Sequence, residues 1–178
     1  LAFTVVAALA QAVTVQIGQA FGKNDYIAVW YSGMAGTVAA GCYMGGIAVI
    51  YWTLPNAIIS LDLDMQQSAN IPIMLLATKF LAVAAIFQIA DGMRFALFGA
   101  LRGLKDTHFT MWSSLVAFWI VGLPSAYLLT FGVNFIGVLG IWWGMVLAAV
   151  CALILLARRF KQQCAIKIAP LQAMGIKP

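Results

Sequence analysis

The chain alternates long apolar runs with short breaks in which Gly, Pro, Asn and charged residues gather. Residues 1–21 are apolar apart from interspersed Gln11, Gln16 and Gln19, and they end in Gly22-Lys23-Asn24-Asp25, a turn signal with a cation beside it. A second run from Tyr26 to Leu54 is punctuated by Gly33, Gly36, Gly41, Gly45 and Gly46 and closes on Tyr51, Trp52 and Pro55. Aromatics suit a membrane interface and proline suits a stop. A third run spans Ile71 to Leu101 and leads into Arg102-Gly103-Leu104-Lys105-Asp106-Thr107-His108. A fourth covers Phe109 to Phe131, with Pro124 inside it as a hinge candidate. After the turn at Gly132-Val133-Asn134, a fifth run reaches about Ala157 and carries Trp142, Trp143 and a Gly140/Gly144 pair. Each run is long enough, as a helix, for the roughly 30 Å apolar core of a bilayer. The pattern predicts an all-α, polytopic transmembrane bundle of about five spanning helices. Gly41/Gly45 has the small-xxx-small spacing of close helix packing.

The third run differs from the others because it holds an acid and a base. Asp91 lies between Lys79 and Arg102, and the interval Phe80 to Leu101 is about 22 residues, or roughly 33 Å as a helix. Asp91 therefore falls near the midplane if those two cations mark the interfaces. A charged residue there costs roughly 2.5–3.5 kcal/mol on insertion scales and ordinarily faces protein or a water-filled cavity. Gln88, Asp91 and Arg94 follow one another at intervals of three and share a helical stripe. Two readings stand open: a proton or cation site in which Gln88 orients or assists Asp91, or an Asp91/Arg94 pair that neutralises itself. Charges retained inside a span favour the functional one.

Composition narrows the class. The 178 residues are 64% hydrophobic and 8% charged, with a mean hydropathy of +0.99, whereas soluble domains are about 25% charged. The net charge of +5 sits mostly in short loops and the C-terminal segment, which marks topology rather than nucleic-acid binding. Loops near Asn24 and Lys105 and the tail at Cys164 are expected on the cytoplasmic side, and those near Asp62 and Asn134 on the other. The span-bearing part is assigned to residues 1–158 and a basic cytoplasmic tail to residues 159–178. Asp62 and Asp64 read as solvated loop charge, and His108 as a loop residue. Cys42, Cys151 and Cys164 lack metal or disulfide spacing and are read as inert packing residues. No phosphate loop, Ser/His/Asp arrangement or catalytic carboxylate pair is present, so neither an enzyme nor a bound cofactor is expected. Residue 1 opens directly into an apolar run without Met, and the chain is read as a fragment.

Four segments carry a family resemblance. They are Gln16-Ile-Gly-Gln-Ala-Phe-Gly-Lys-Asn-Asp25, Phe87-Gln-Ile-Ala-Asp91-Gly-Met-Arg94, Gly99-Ala-Leu-Arg-Gly-Leu-Lys-Asp-Thr107 and Gly122-Leu-Pro124. Together they resemble the C-terminal half of multidrug and toxic compound extrusion (MATE) transporters. The resemblance implies a twelve-helix, two-lobe transporter of which these spans are helices eight to twelve, the partner being the N-terminal lobe of the same polypeptide. It further implies an antiporter, driven by H+ or Na+, that exports small organic and often cationic compounds from a bacterial inner membrane. In the sodium-coupled branch the acid matching Asp91 helps to bind the cation, together with a Glu on helix seven. Phe87 stands where relatives often carry Tyr, and Arg94 where an uncharged Gln is common. A hydroxyl is thus lost and a cation added beside the site, which weighs toward protons. Phe87, Gln88, Asp91, Arg94 and Met93 are assigned to the ion-coupling and substrate cavity, while Phe98 is a further candidate whose commoner role is packing. Two alternatives are a lipid-headgroup flippase of the same superfamily, with Arg94 on a phosphate, and a non-transporting membrane packing module.

Overall fold

The structure, a computed structural model, describes residues 2–61, 70–132 and 136–173, the last seven of them by backbone alone. The loop carrying Asp62 and Asp64, and Asn134, lie outside the described residues. All regular structure among the described residues is helical. In order the elements are α1 (Ala2–Gly22), α2 (Tyr26–Thr53), the short α3 (Pro55–Ile59), α4 (Ile71–Gly103), α5 (Thr107–Leu115), a π-helical segment (Val116–Gly122), α6 (Leu123–Phe131) and α7 (Leu139–Ala173). Taking α5, the π segment and α6 as one rod, five helices are long and apolar enough to cross a membrane.

Helix α4 is the centre of the bundle, packed against α1, α2 and α7, while the α5–α6 rod lies against α7. Large apolar side chains such as Trp119, Tyr127, Leu75 and Leu128 point outward, and much of the interior is small: Ala10, Ala40, Ala96, Ala100, Ala149 and Ala152 are buried. This is the distribution expected when lipid surrounds the bundle, because tails offer no penalty to outward Leu and helix association rests on close backbone approach. At the α1–α4 crossing a Cβ on Gly103 would fall 2.8 Å from the Thr14 carbonyl oxygen, and one on Gly99 would meet the Ala10 backbone. Thr14 Oγ1 donates to the Gly99 carbonyl at 2.9 Å across the same crossing. Gly140 and Gly144 do the same work between α7 and α6, against Thr130 and Ala126. Of the Gly41/Gly45 pair, Gly41 meets Met93 and Gly45 faces open space, so α2 has no two-glycine crossing.

The fifth span was expected to end near Ala157, but α7 continues to Ala173. Leu156, Phe160 and Cys164 recur every fourth residue, and all three are buried. The Phe160 ring stacks on Trp30, centroids 5.8 Å apart. One apolar stripe is enough to hold a helix whose other faces are basic. The three cysteines divide: Cys164 is buried, Cys151 half-buried and Cys42 exposed, so packing describes Cys164 and not Cys42.

The junctions α1–α2 and α4–α5 share one design. Asn24 and Lys105 adopt φ of 59° and 62°, and the next residue's amide, Asp25 or Asp106, donates back at 2.9 Å to Ala20 or Leu101. This is the six-to-one bond of a Schellman helix end, followed at once by a new helix.

Candidate functional site

Asp91 and Arg94 form the ion pair that their spacing allows. Arg94 Nε donates to Asp91 Oδ1 at 2.8 Å, and Arg94 Nη2 reaches the same oxygen at 2.6 Å. The side chains are 13% and 14% exposed respectively, which removes most of the water that would otherwise weaken the attraction. The guanidinium carbon also lies 5.4 Å from the centroid of Phe118, within cation–π range. Phe118 belongs to the π segment, so this side chain links α4 to the outer rod.

Asp91 also borders a cavity of about 290 Å³, lined further by Phe87, Gln88, Ala2, Phe3, Met44 and Tyr51. Gln88 Nε2 is buried without a hydrogen-bond partner. A buried amide left unpaired is costly, and such exceptions mark places where a ligand or water can supply the missing partner. The wall is thus one carboxylate, one carboxamide and a phenol-bearing ring, set among Phe3, Phe87 and Met44. Gly92, next to Asp91, lets Met44 of α2 approach, with a hypothetical Cβ 2.7 Å from Met44 Cγ.

Four of the five expected cavity residues, Phe87, Gln88, Asp91 and Arg94, are brought together at or behind this wall. Met93 is not. It lines a separate cavity of about 300 Å³ with Trp30, Met34, Thr37, Leu97 and Leu153. Two residues along a helix is a turn of roughly 200°, so Asp91 and Met93 face opposite ways. Phe98 stacks on Phe95, which meets Phe3 edge-on. Pro124 is the second residue of α6 and is exposed to the outside. Among the described residues no group of three or more His, Cys, Asp or Glu is placed to hold a metal.

Sequence reasoning missed Tyr51 as a cavity residue, having read it only as an interface aromatic, and missed Phe118 and the π segment. It also missed a second ion pair: Arg159 Nε meets Asp106 Oδ2 at 2.7 Å, Gln163 Nε2 donates to the same oxygen at 3.0 Å, and the Arg159 guanidinium lies 4.9 Å from the Phe109 ring. No local spacing could have joined residues 53 positions apart.

A helical bundle that turns large apolar side chains outward, with an ion pair on α4 and a part-polar cavity between α1, α2 and α4, defines a polytopic membrane protein. The sequence model of the MatE family matches residues 1–128. The chain is 37% identical over 160 residues to the probable multidrug resistance protein NorM of Pseudomonas putida, covering 90% of this chain and 34% of that one. It is 35% identical over 159 residues to the multidrug resistance protein NorM of Burkholderia vietnamiensis, covering 89% and 34%. The crystal structure of the eukaryotic MATE transporter AtDTX14 superposes with a TM-score of 0.78 at 19% identity, over 93% of this chain and 37% of that one. The protein therefore belongs to the MatE family. It spans about a third of the length of the curated relatives it matches.

Proposed function

We propose that this chain is the ion-coupling part of a cation-coupled antiporter that exports small organic, often cationic, compounds by alternating access, with the N-terminal lobe of the same polypeptide as its partner. The observation that carries the reading is the position of Asp91: a carboxylate within a membrane span, bordering an aromatic cavity beside an unpaired Gln88 amide. Intramembrane acids facing cavities serve ion and proton paths, because a purely structural role gives no return for the insertion cost. The relatives named multidrug resistance proteins support the substrate class.

Arg94 on Asp91 Oδ1, with Phe87 offering no hydroxyl, favours H+ over Na+ as the coupling ion. The flippase alternative needs a free cation for phosphate, whereas the guanidinium here is already held by Asp91. A packing module would leave the cavity-facing acid without a role. Pro124, two residues past the end of the π segment, is the hinge of this reading, and Met93 belongs to a second, apolar substrate surface. In this reading the protein sits in a bacterial inner membrane with its C-terminus cytoplasmic.

Export driven by an imposed gradient in vesicles holding the full-length protein is the test. Asp91→Asn is expected to insert normally and to lose export, Pro124→Ala to slow export without lowering folded yield, and a pH gradient to drive export better than a sodium gradient. Undiminished export by Asp91→Asn would refute the coupling role.

A further inference from the structure

Resting on the Asp91 reading above, we propose that Arg94 is a resident counter-cation of the substrate site. An organic cation binds Asp91 only by displacing it, and Phe118 on the π segment receives the displaced guanidinium. Three observations converge. Both guanidinium contacts fall on Oδ1, and no described residue donates a hydrogen bond to Oδ2. Asp91 lines the 290 Å³ cavity and Arg94 does not. The ring that would take over the guanidinium already stands 5.4 Å away.

A cation arriving from the cavity meets a carboxylate whose Oδ2 has no donor among the described residues. It then shares one anion with Arg94, and the two like charges repel in a site with little water to screen them. The guanidinium then leans on the partner it already has in range, the aromatic face of Phe118, whose attraction grows as water is excluded. Since α4 and the π segment are joined here by a side chain and not by backbone packing, filling the cavity changes what holds the outer rod. The site therefore selects ligands whose cationic group competes with a guanidinium, and it rejects neutral ones of the same shape.

Ethidium binding to the purified full-length protein, read by fluorescence, tests this. Arg94→Gln is expected to tighten ethidium by about tenfold, one decade in the dissociation constant. Arg94→Lys, which keeps the charge, should match the parent, and Asp91→Asn should weaken binding and erase the gain in the Arg94→Gln background. Phe118→Leu should weaken ethidium when Arg94 is present and have no effect when it is Gln, a non-additivity that a merely structural ring would not produce. If Arg94→Gln fails to tighten binding while Asp91→Asn still weakens it, or if Arg94→Lys tightens as much as Gln, the resident-cation inference falls and the Asp91 reading stands. If Asp91→Asn changes nothing in either background, both fall. Should Arg94→Gln yield no folded protein, Phe118→Leu against Phe109→Leu decides: weaker ethidium binding in the first alone supports the inference, and equal effects overturn it.

Discussion

Asp106 stands at the N-cap of α5, just before Thr107, where an aspartate ordinarily caps a helix, yet its carboxylate makes no cap bond and turns instead to Arg159 and Gln163 of α7. Asp25, at the equivalent place before α2, does cap, accepting from the Ala28 amide at 2.9 Å. Two aspartates in nearly identical junctions thus do different work, one local and one joining elements far apart in sequence. Arg159 is a third exposed, so its pairing is partly screened, and the clamp contributes at the modest end of charge-assisted bonds. Asp106→Ala is expected to lower stability by about 1–2 kcal/mol and Asp25→Ala by about 1 kcal/mol or less. Thermal unfolding of the full-length protein in detergent measures both. The clamp should show non-additivity between Asp106→Ala and Arg159→Ala, while Asp25→Ala and Arg159→Ala should add. Simple addition in both cycles would mean that the clamp contributes nothing beyond its separate residues.

At the scale of elements, the polar breaks located the spans, because each basic break also ends an apolar run. Four of the five spans begin and end within a few residues of where the pattern places them. The fifth does not, since Arg158, Arg159 and Lys161 look like an interface while Leu156, Phe160 and Cys164 carry the helix on by a stripe only three residues deep. The π segment left no pattern at all: its Val116–Gly122 sequence is as apolar as any α-helical span, and the wider turn shows only in hydrogen bonding. In the site, spacing correctly joined Gln88, Asp91 and Arg94, and the same rule, applied to Met93, would have excluded it from the Asp91 wall. Partners from other helices, Tyr51 and Phe118, depend on tertiary packing that no periodicity encodes. Glycine spacing was equally incomplete, and it makes a sharp comparison. Gly99→Ala drives a methyl into the Ala10 backbone and is expected to cost about 1–3 kcal/mol of stability, whereas Gly45→Ala enters open space and should stay within about 0.5 kcal/mol. Folded yield and unfolding temperature of the two variants check this, and equal tolerance would mean that the α1–α4 crossing can widen freely.

Across the whole molecule, the basic segments converge on one end of the bundle. Arg159 reaches Asp106 at the α4–α5 junction, and Phe160 stacks on Trp30 at the beginning of α2, beside the α1–α2 turn that carries Lys23. Arg102, Lys105, Arg158 and Lys161 therefore share that end with Lys23. At the opposite end the Trp52 indole donates to the Ala82 carbonyl at 3.2 Å, one turn from Lys79, where an aromatic and a lysine suit the other interface. Because Lys and Arg in short loops orient a membrane protein, the end with these six clustered cations, Arg159 included, is expected to face the cytoplasm. Single cysteines in a Cys-free, full-length background measure this with an impermeant thiol reagent. Cys164 is unsuited as the reporter for the C-terminal segment because it is buried against the bundle, and the exposed Lys161 replaces it. Cysteines at positions 24, 105 and 161 are expected to react only from the cytoplasmic side, and cysteines at 62 and 134 only from the other. Reaction at 105 and 161 from opposite sides would contradict the Asp106–Arg159 pair itself, since two residues one ion pair apart cannot lie across a bilayer.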